Sequence, residues 1–237
     1  MSSLLTERLI QRQLNHWNRL RDYLHEDEGE RPRRPGPVIT VSRLAGSGGR
    51  RLAEALAERL DLHLHDQSLV ERIARDRDLQ NSVVSQLDER TVSQAQLWVQ
   101  GVLRQRIFLR DEYHTALVAA VTTLAARGNA VFLGRGANLI LGERADLRLR
   151  VVADRETRVR LLCAGSALDP DGARAALDRT DAQRAEFIRK VFHQEPGQPE
   201  NFDLVFNAGR MDTDAMVDHA MLALARTAPA LTAAARS

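Results

Sequence analysis

The stretch Val38-Ile39-Thr40-Val41-Ser42-Arg43-Leu44-Ala45-Gly46-Ser47-Gly48-Gly49-Arg50-Arg51-Leu52 decides the reading of this chain. It opens on a β-branched run, turns through three glycines, and continues with Leu52, Ala53, Leu56, Ala57 and Leu60 at the spacing of one helical face. Strand, glycine loop, helix is the order it spells. Glycines around Ser47 let successive backbone N–H groups point inward, and a helix starting near Arg50 aims the positive end of its dipole at the same point. The shape is that of a phosphate cradle.

The phosphate-loop pattern G-x-x-x-x-G-K-[ST] fits here in two frames, each incomplete. With Gly48 as the second glycine, Arg43 stands in the place of the first and Gly49 in the place of the lysine. With Gly49 as the second, Leu44 replaces the first glycine, while Arg50 takes the lysine position and Arg51 the Ser/Thr position. Neither frame supplies the hydroxyl that holds magnesium. Lys190 is the only lysine in the chain, so an arginine in the lysine role agrees with the residue usage, whereas a glycine there does not.

Composition bounds the rest. Apolar residues at 43% and charged residues at 28% of 237 suit a soluble globular chain with a sizeable core. Aromatic residues at 4% are too few for a base-stacking platform, and a net charge of +2 does not call for a nucleic-acid partner. The lone Cys163 excludes an internal disulfide and a cysteine metal cluster, and its Leu-Leu-Cys-Ala setting reads as a buried thiol. No apolar run approaches the ~20 residues of a membrane span, and the first residues lack the apolar core of a signal peptide. A cytoplasmic protein with no membrane contact is the expectation.

Upstream of the glycine loop, residues 3–24 read as a helix with Leu5, Leu9, Trp17, Leu20 and Leu24 near one face. That stripe is to be buried on its own domain or against a second copy of the chain in a homodimer; the sequence leaves both open. Four acids and then Arg31-Pro32-Arg33-Arg34-Pro35-Gly36-Pro37 make a tether, so the domains divide as 1–37 and 38–237.

Downstream, Leu62-His63-Leu64-His65-Asp66 alternates as a strand and leaves Asp66 at its carboxyl end, where open parallel sheets hold ligands. His63 and His65 share one side of that strand, but no third ligand lies near them in sequence, so they read as strand residues and no metal set is assigned. Residues 68–127 read as a helical insertion with Gly101 as the one break. Ala130 to Leu133 is a buried strand running into Gly134-Arg135-Gly136-Ala137-Asn138, where an arginine between two glycines suits a phosphate better than packing. Strands at 147–153 and 203–207 and helices after each complete a five-fold alternation, which argues for a parallel sheet with helices on both faces. Between them, Arg179 and Arg184 could reach one anion if a segment at 169–200 closed over the cleft as a lid; otherwise they belong to a charged helix surface.

Taken together, these motifs resemble the cytidylate kinase-like family, relatives of bacterial cytidylate kinases among the P-loop nucleoside monophosphate kinases. The resemblance covers about Val38 to Leu224. It implies an α/β P-loop kinase-type three-layer sandwich with a five-stranded parallel sheet in the order 2-3-1-4-5, a helical NMP-binding insertion and an arginine-bearing lid. It also implies ATP and Mg2+ as cofactors and a nucleotide as substrate. On this resemblance Arg43, Gly46, Ser47, Gly48, Gly49, Arg50 and Arg51 would hold the donor phosphates, Asp66, Arg135 and Asn138 would face the acceptor, and Arg50, Arg179 and Arg184 would serve catalysis. Two departures stand out: cytidylate kinases carry lysine where Gly49 falls and a cytosine-reading aspartate where Gly136 falls. The expected function is therefore ATP-dependent phosphoryl transfer to a nucleoside monophosphate or similar small acceptor. The alternative is a nucleotide-binding module that acts through a protein partner.

Overall fold

The structure, a computed structural model, describes residues 36–85, 89–105 and 112–228. The helix expected over 3–24, most of the tether after it and the stretch 106–111 lie outside these residues. In chain order the elements are β1 (Val38–Arg43), α1 (Gly49–Leu60), β2 (His63–His65), α2 (Gln67–Arg75), α3 (Arg77–Ser85), α4 (Glu89–Gln105), α5 (Glu112–Ala126), β3 (Ala130–Leu133), α6 (Ala137–Leu141), β4 (Leu147–Val152), α7 (Arg155–Ala164), α8 (Pro170–Phe192), β5 (Leu204–Asn207) and α9 (Thr213–Thr227).

The five strands form one parallel sheet in the order β2-β3-β1-β4-β5, as the family resemblance implies. Strand β1 is central, with Ile39 opposite Val131 on one side and Leu147 on the other. Its period-two alternation sorts the core into two layers. Val38, Ala130 and Phe132 face α2, α5 and α6, where Val70, Leu117, Val121 and Ile140 meet them. Ile39, Val41, Val131, Leu133, Leu147 and Leu149 face the other way, onto Leu52 and Leu56 of α1 and Met216 and Leu224 of α9. Because all strands run the same way, the carboxyl ends of β1, β3 and β4 open on one rim, the edge where such sheets hold ligands.

Helix starts are set by capping carboxylates. Asp66, Asp154, Asp169 and Asp212 each accept a backbone N–H three residues on, at 3.1, 2.9, 2.7 and 2.8 Å. Helix α1 differs: its cap is Gly48, with no side-chain cap and no acid in the first turn. The described residues of 68–127 are mainly helical as expected, but a break falls elsewhere than at Gly101. Gly101 lies inside α4, whereas Asp76 is extended between α2 and α3 and accepts the Asp78 N–H at 2.9 Å, the local competition that lets aspartate end helices. Cys163 is only half-buried, at the margin of a small cluster of Ala45, Val159, Ala173 and Leu177, so the buried-thiol reading does not hold.

His63 and His65 sit side by side on β2, ring centroids 6.4 Å apart, and no group of three metal-ligating side chains exists among the described residues. The His65 ring lies 5.1 Å from that of Phe132, and its Nδ1 is buried without a partner. Burial first, then His63 and Arg127, push its pKa from 6.5 down to about 4. A group whose folded pKa lies below its unfolded value takes up its proton on unfolding, so stability should fall as pH drops from about 6.5 to about 4. We expect urea unfolding at pH 7.5 and pH 4.5 to give the native protein an acid loss about 1–3 kcal/mol larger than that of His65→Leu, allowing for partial exposure of the ring. Equal losses in the two proteins would contradict this account.

Candidate active site

The loop leaves β1 through Leu44, whose N–H donates to the Val151 carbonyl at 3.1 Å, and turns on two left-handed glycines, Gly46 (φ 70°) and Gly48 (φ 81°). Ser47 is fully buried between them, and its hydroxyl donates to the carbonyls of Leu44 at 2.9 Å and Val151 at 3.1 Å. The serine therefore locks the loop to β4, with its hydroxyl fully buried. With a glycine cap and no acid in the first turn, the first-turn N–H groups of α1 lack a side-chain cap and border a cavity of about 660 Å³ whose walls also include Glu54 and Glu71. Gly46, Gly48, Gly49, Arg50, Arg51 and Arg43 are among its walls.

A second cavity, of about 390 Å³, lies on the β3 side and is lined by Arg135, Asn138, Arg150 and Phe187 among others. The two cavities share Arg43, Leu44, Gln67 and Arg184. Arg43 is the last residue of β1 and has no carboxylate at ion-pair distance among the described residues. Burial, together with the guanidiniums of Arg184, Arg50 and Arg135, pushes it well below its ordinary value, down to about 9. Arginine remains a cation at neutral pH, so Arg43 is a largely buried cation beside three others, with Asp66 opposing them. Arg184 donates to the Arg43 carbonyl at 3.3 Å and is likewise lowered, chiefly by burial. Arg150, with Ser42 Oγ at 3.2 Å and the Phe202 ring at 5.3 Å, is lowered for the same reason.

The other expected site residues divide. Arg135 has φ 54°, between Gly134 and Gly136 at 84° and 66°, and this run of left-handed residues turns it into the second cavity. There it pairs with Glu71 and stacks 4.8 Å over Phe187, while its Nε is buried without a partner. Asn138, only 8% exposed, lines the same cavity. Asp66 lies among the walls of neither. It caps α2, accepts from Ser68 Oγ at 2.8 Å and from Arg50 Nη2 at 3.0 Å, and these donors hold its pKa at about 2. Arg50 is thereby spent, bridging Asp66 and Glu54 with its side chain 57% exposed. Arg51 is exposed at the mouth of the first cavity. Arg179 is exposed and lines neither cavity, so α8 does not bring Arg179 and Arg184 to one anion. At Gly136 a Cβ would run into the Phe192 ring, which leaves no room for a base-reading carboxylate.

Sequence reasoning missed Asp181. From α8 it accepts the Ala45 N–H at 2.8 Å and pairs with Arg158, which also donates to the Ala45 carbonyl at 3.3 Å. The loop is thus tied to α8 through side chains 136 positions away in the chain. The available signal was the helical spacing Ala173, Leu177, Asp181, Arg184, Ile188, one face of α8 that starts apolar and turns polar where it meets the loop.

A parallel 2-3-1-4-5 sheet with a glycine loop between its central strand and the next helix defines a P-loop kinase-type sandwich. The chain belongs to the cytidylate kinase-like family, whose model matches residues 38–210. The crystal structure of an uncharacterized protein from Eubacterium ventriosum ATCC 27560 is similar, with TM-score 0.63 and 18% identity over 81% of this chain and 99% of that one. A gluconokinase from Sinorhizobium meliloti 1021 aligns with TM-score 0.45 and 16% identity over 84% of this chain and 97% of its own. In sequence, 106 residues are 30% identical to a uronate isomerase of Corynebacterium glutamicum; they make up 44% of this chain and span only 20% of that protein. Among the described residues no helix is long and apolar enough to cross a membrane.

Proposed function

We propose that the chain is an ATP-dependent phosphotransferase whose donor triphosphate occupies the glycine-loop cavity and whose acceptor, a nucleoside monophosphate or similar small phosphate acceptor, occupies the second. The observation that carries this reading is the shared wall: two cavities meet at Arg43 and Arg184, two partly buried cations with no carboxylate at ion-pair distance among the described residues. Phosphoryl transfer asks little of a protein beyond in-line positioning and cations around the charge on the moving group. Loop N–H groups of Gly46 to Gly49, with Arg51 at the mouth, hold donor phosphates. Arg43 and Arg184 face the moving group. Arg135, Arg150 and Asn138 orient the acceptor, with α2 to α5 as its helical flank and α8 as the closing element.

Triphosphate fits these residues; a protein-held Mg2+ does not. The Ser47 hydroxyl is fully buried, and positions 50 and 51, where the pattern puts the metal-holding hydroxyl, are arginine. Magnesium would arrive as the nucleotide's own counter-ion, held by phosphate oxygens and water, a habit of this hard and reluctantly dehydrated ion. No residue of this chain is assigned to it. Homodimerisation through residues 3–24 is part of the proposal on sequence grounds alone.

The test is ADP formation by the purified protein with ATP and Mg2+ against CMP, dCMP, UMP and AMP. We expect acceptor-dependent turnover above ATPase background. ATP binding without turnover on any acceptor would favour the second reading, a nucleotide-binding module. That alternative draws on one specific observation, the loop's lack of both a lysine and an exposed hydroxyl.

A further inference from the structure

Positions 43 and 49 depart from the phosphate-loop pattern together, and the structure shows them in contact. In the frame that makes Gly48 the second glycine, an arginine stands for the first glycine and a glycine for the lysine. A Cβ at position 49 would lie 2.5 Å from Arg43 Cβ and 3.0 Å from its Cγ, too close for any side chain. The stem of Arg43 therefore fills the space from which a lysine at 49 would start. Its other end explains another glycine: a Cβ at Gly134 would overlap the Arg43 guanidinium, with Cζ 3.0 Å away. Gly49 at the root and Gly134 at the tip leave Arg43 a passage from the end of β1 to the border between the two cavities.

We propose that Arg43 is the catalytic cation of the loop, the glycine and the cation of the pattern having exchanged places between positions 43 and 49. This rests on the phosphotransferase reading above. It displaces Arg50 from that role, since the Arg50 guanidinium is already paired with Asp66 and Glu54. A lysine is a flexible point charge, whereas the fork of Arg43 offers several N–H donors in one plane to the γ-phosphate oxygens. The crowding of Arg184, Arg50 and Arg135 about Arg43 makes an arriving phosphate a relief of repulsion rather than a bare contact.

The experiment is a double-mutant cycle read first by binding of ATP against ADP, then by turnover on the acceptor panel. Arg43→Gln keeps the stem over Gly49 and removes the charge, so it separates chemistry from packing. We expect it to lower ATP affinity by about tenfold or more with little change for ADP, and turnover by roughly 10² to 10³. Gly49→Lys alone collides with Arg43 and loses both. Arg43→Gly with Gly49→Lys restores the full glycine-lysine pattern, and we expect it to recover ATP preference and turnover to within about tenfold of the native protein. Retention of the ATP-over-ADP preference in Arg43→Gln, or a double variant no better than the worse single one, would overturn the proposal while leaving the phosphotransferase reading in place. Failure of the native protein to bind either nucleotide would remove that reading, and this proposal with it.

Discussion

Arg184→Ala should lower turnover about 10³-fold, the low end of what an arginine facing a transferring phosphoryl group contributes, while leaving the fold at least as stable as before. The two halves of that expectation have one cause. Arg184 lines both cavities beside Arg43, and among the described residues its one hydrogen bond is a 3.3 Å donation to the Arg43 carbonyl. After burial itself, Arg184 is the largest contributor to the lowering of Arg43. Asp181, one turn earlier on α8, offsets part of the charge of Arg184, while its carboxylate is also held by the Ala45 N–H and by Arg158. Removing Arg184 therefore relieves repulsion in the empty site and removes attraction in the loaded one. Thermal unfolding with and without ATP separates these: we expect an unchanged or raised melting temperature without nucleotide, and a smaller ATP-induced rise than in the native protein. Arg184→Lys should fall between, since it keeps a charge without the planar fork. Turnover of Arg184→Ala within about tenfold of native would place this arginine outside the reaction.

Most of the fold was legible because it depends on local pattern. The β-branched run at 38–41, the apolar spacing of α1 and the buried strand at 130–133 each declare their element, and the family resemblance supplies the strand order that periodicity cannot. What failed to show in the sequence depends on side chains crossing between elements. Positions 43 and 49 are read along a motif as two separate defects; only the close approach of the Arg43 stem to Gly49 makes them one exchange. Arg50 had the correct offset for a lysine substitute in one frame, but the Asp66 carboxylate captures it from outside the loop. Helical arithmetic could have divided Arg179 from Arg184: five residues turn a helix by about 140° beyond a full revolution, so the two face apart on any straight helix. Asp181 was hidden for the opposite reason, being an ordinary acid on a charged helix until the tertiary fold sets it against the Ala45 N–H.

Gly46→Ala should destabilise the protein by about 2–4 kcal/mol and cut ATP affinity, because this glycine meets two independent constraints at once. Its φ of 70° lies in the left-handed region, where a side chain costs roughly 1–2 kcal/mol. The added Cβ would also lie 2.8 Å from Leu177 Cδ2 and 2.9 Å from the backbone oxygen of Arg158. Leu177 is 1% exposed and the Arg158 oxygen belongs to α7, so neither can yield without moving a helix; overpacking of this kind adds roughly 1–3 kcal/mol. The loop's cheapest escape is to lift away from α7 and α8. That motion would pull Ala45 off Asp181 and turn the neighbouring N–H groups out of the cradle. Stability and phosphate binding should thus fall together, by urea unfolding and by ATP titration on the same preparation. A loss confined to stability would mean that the cradle re-forms around the new methyl group. Less than about 1 kcal/mol on unfolding, with ATP affinity intact, would mean that the tight approach of the loop to α7 and α8 is not what shapes the site.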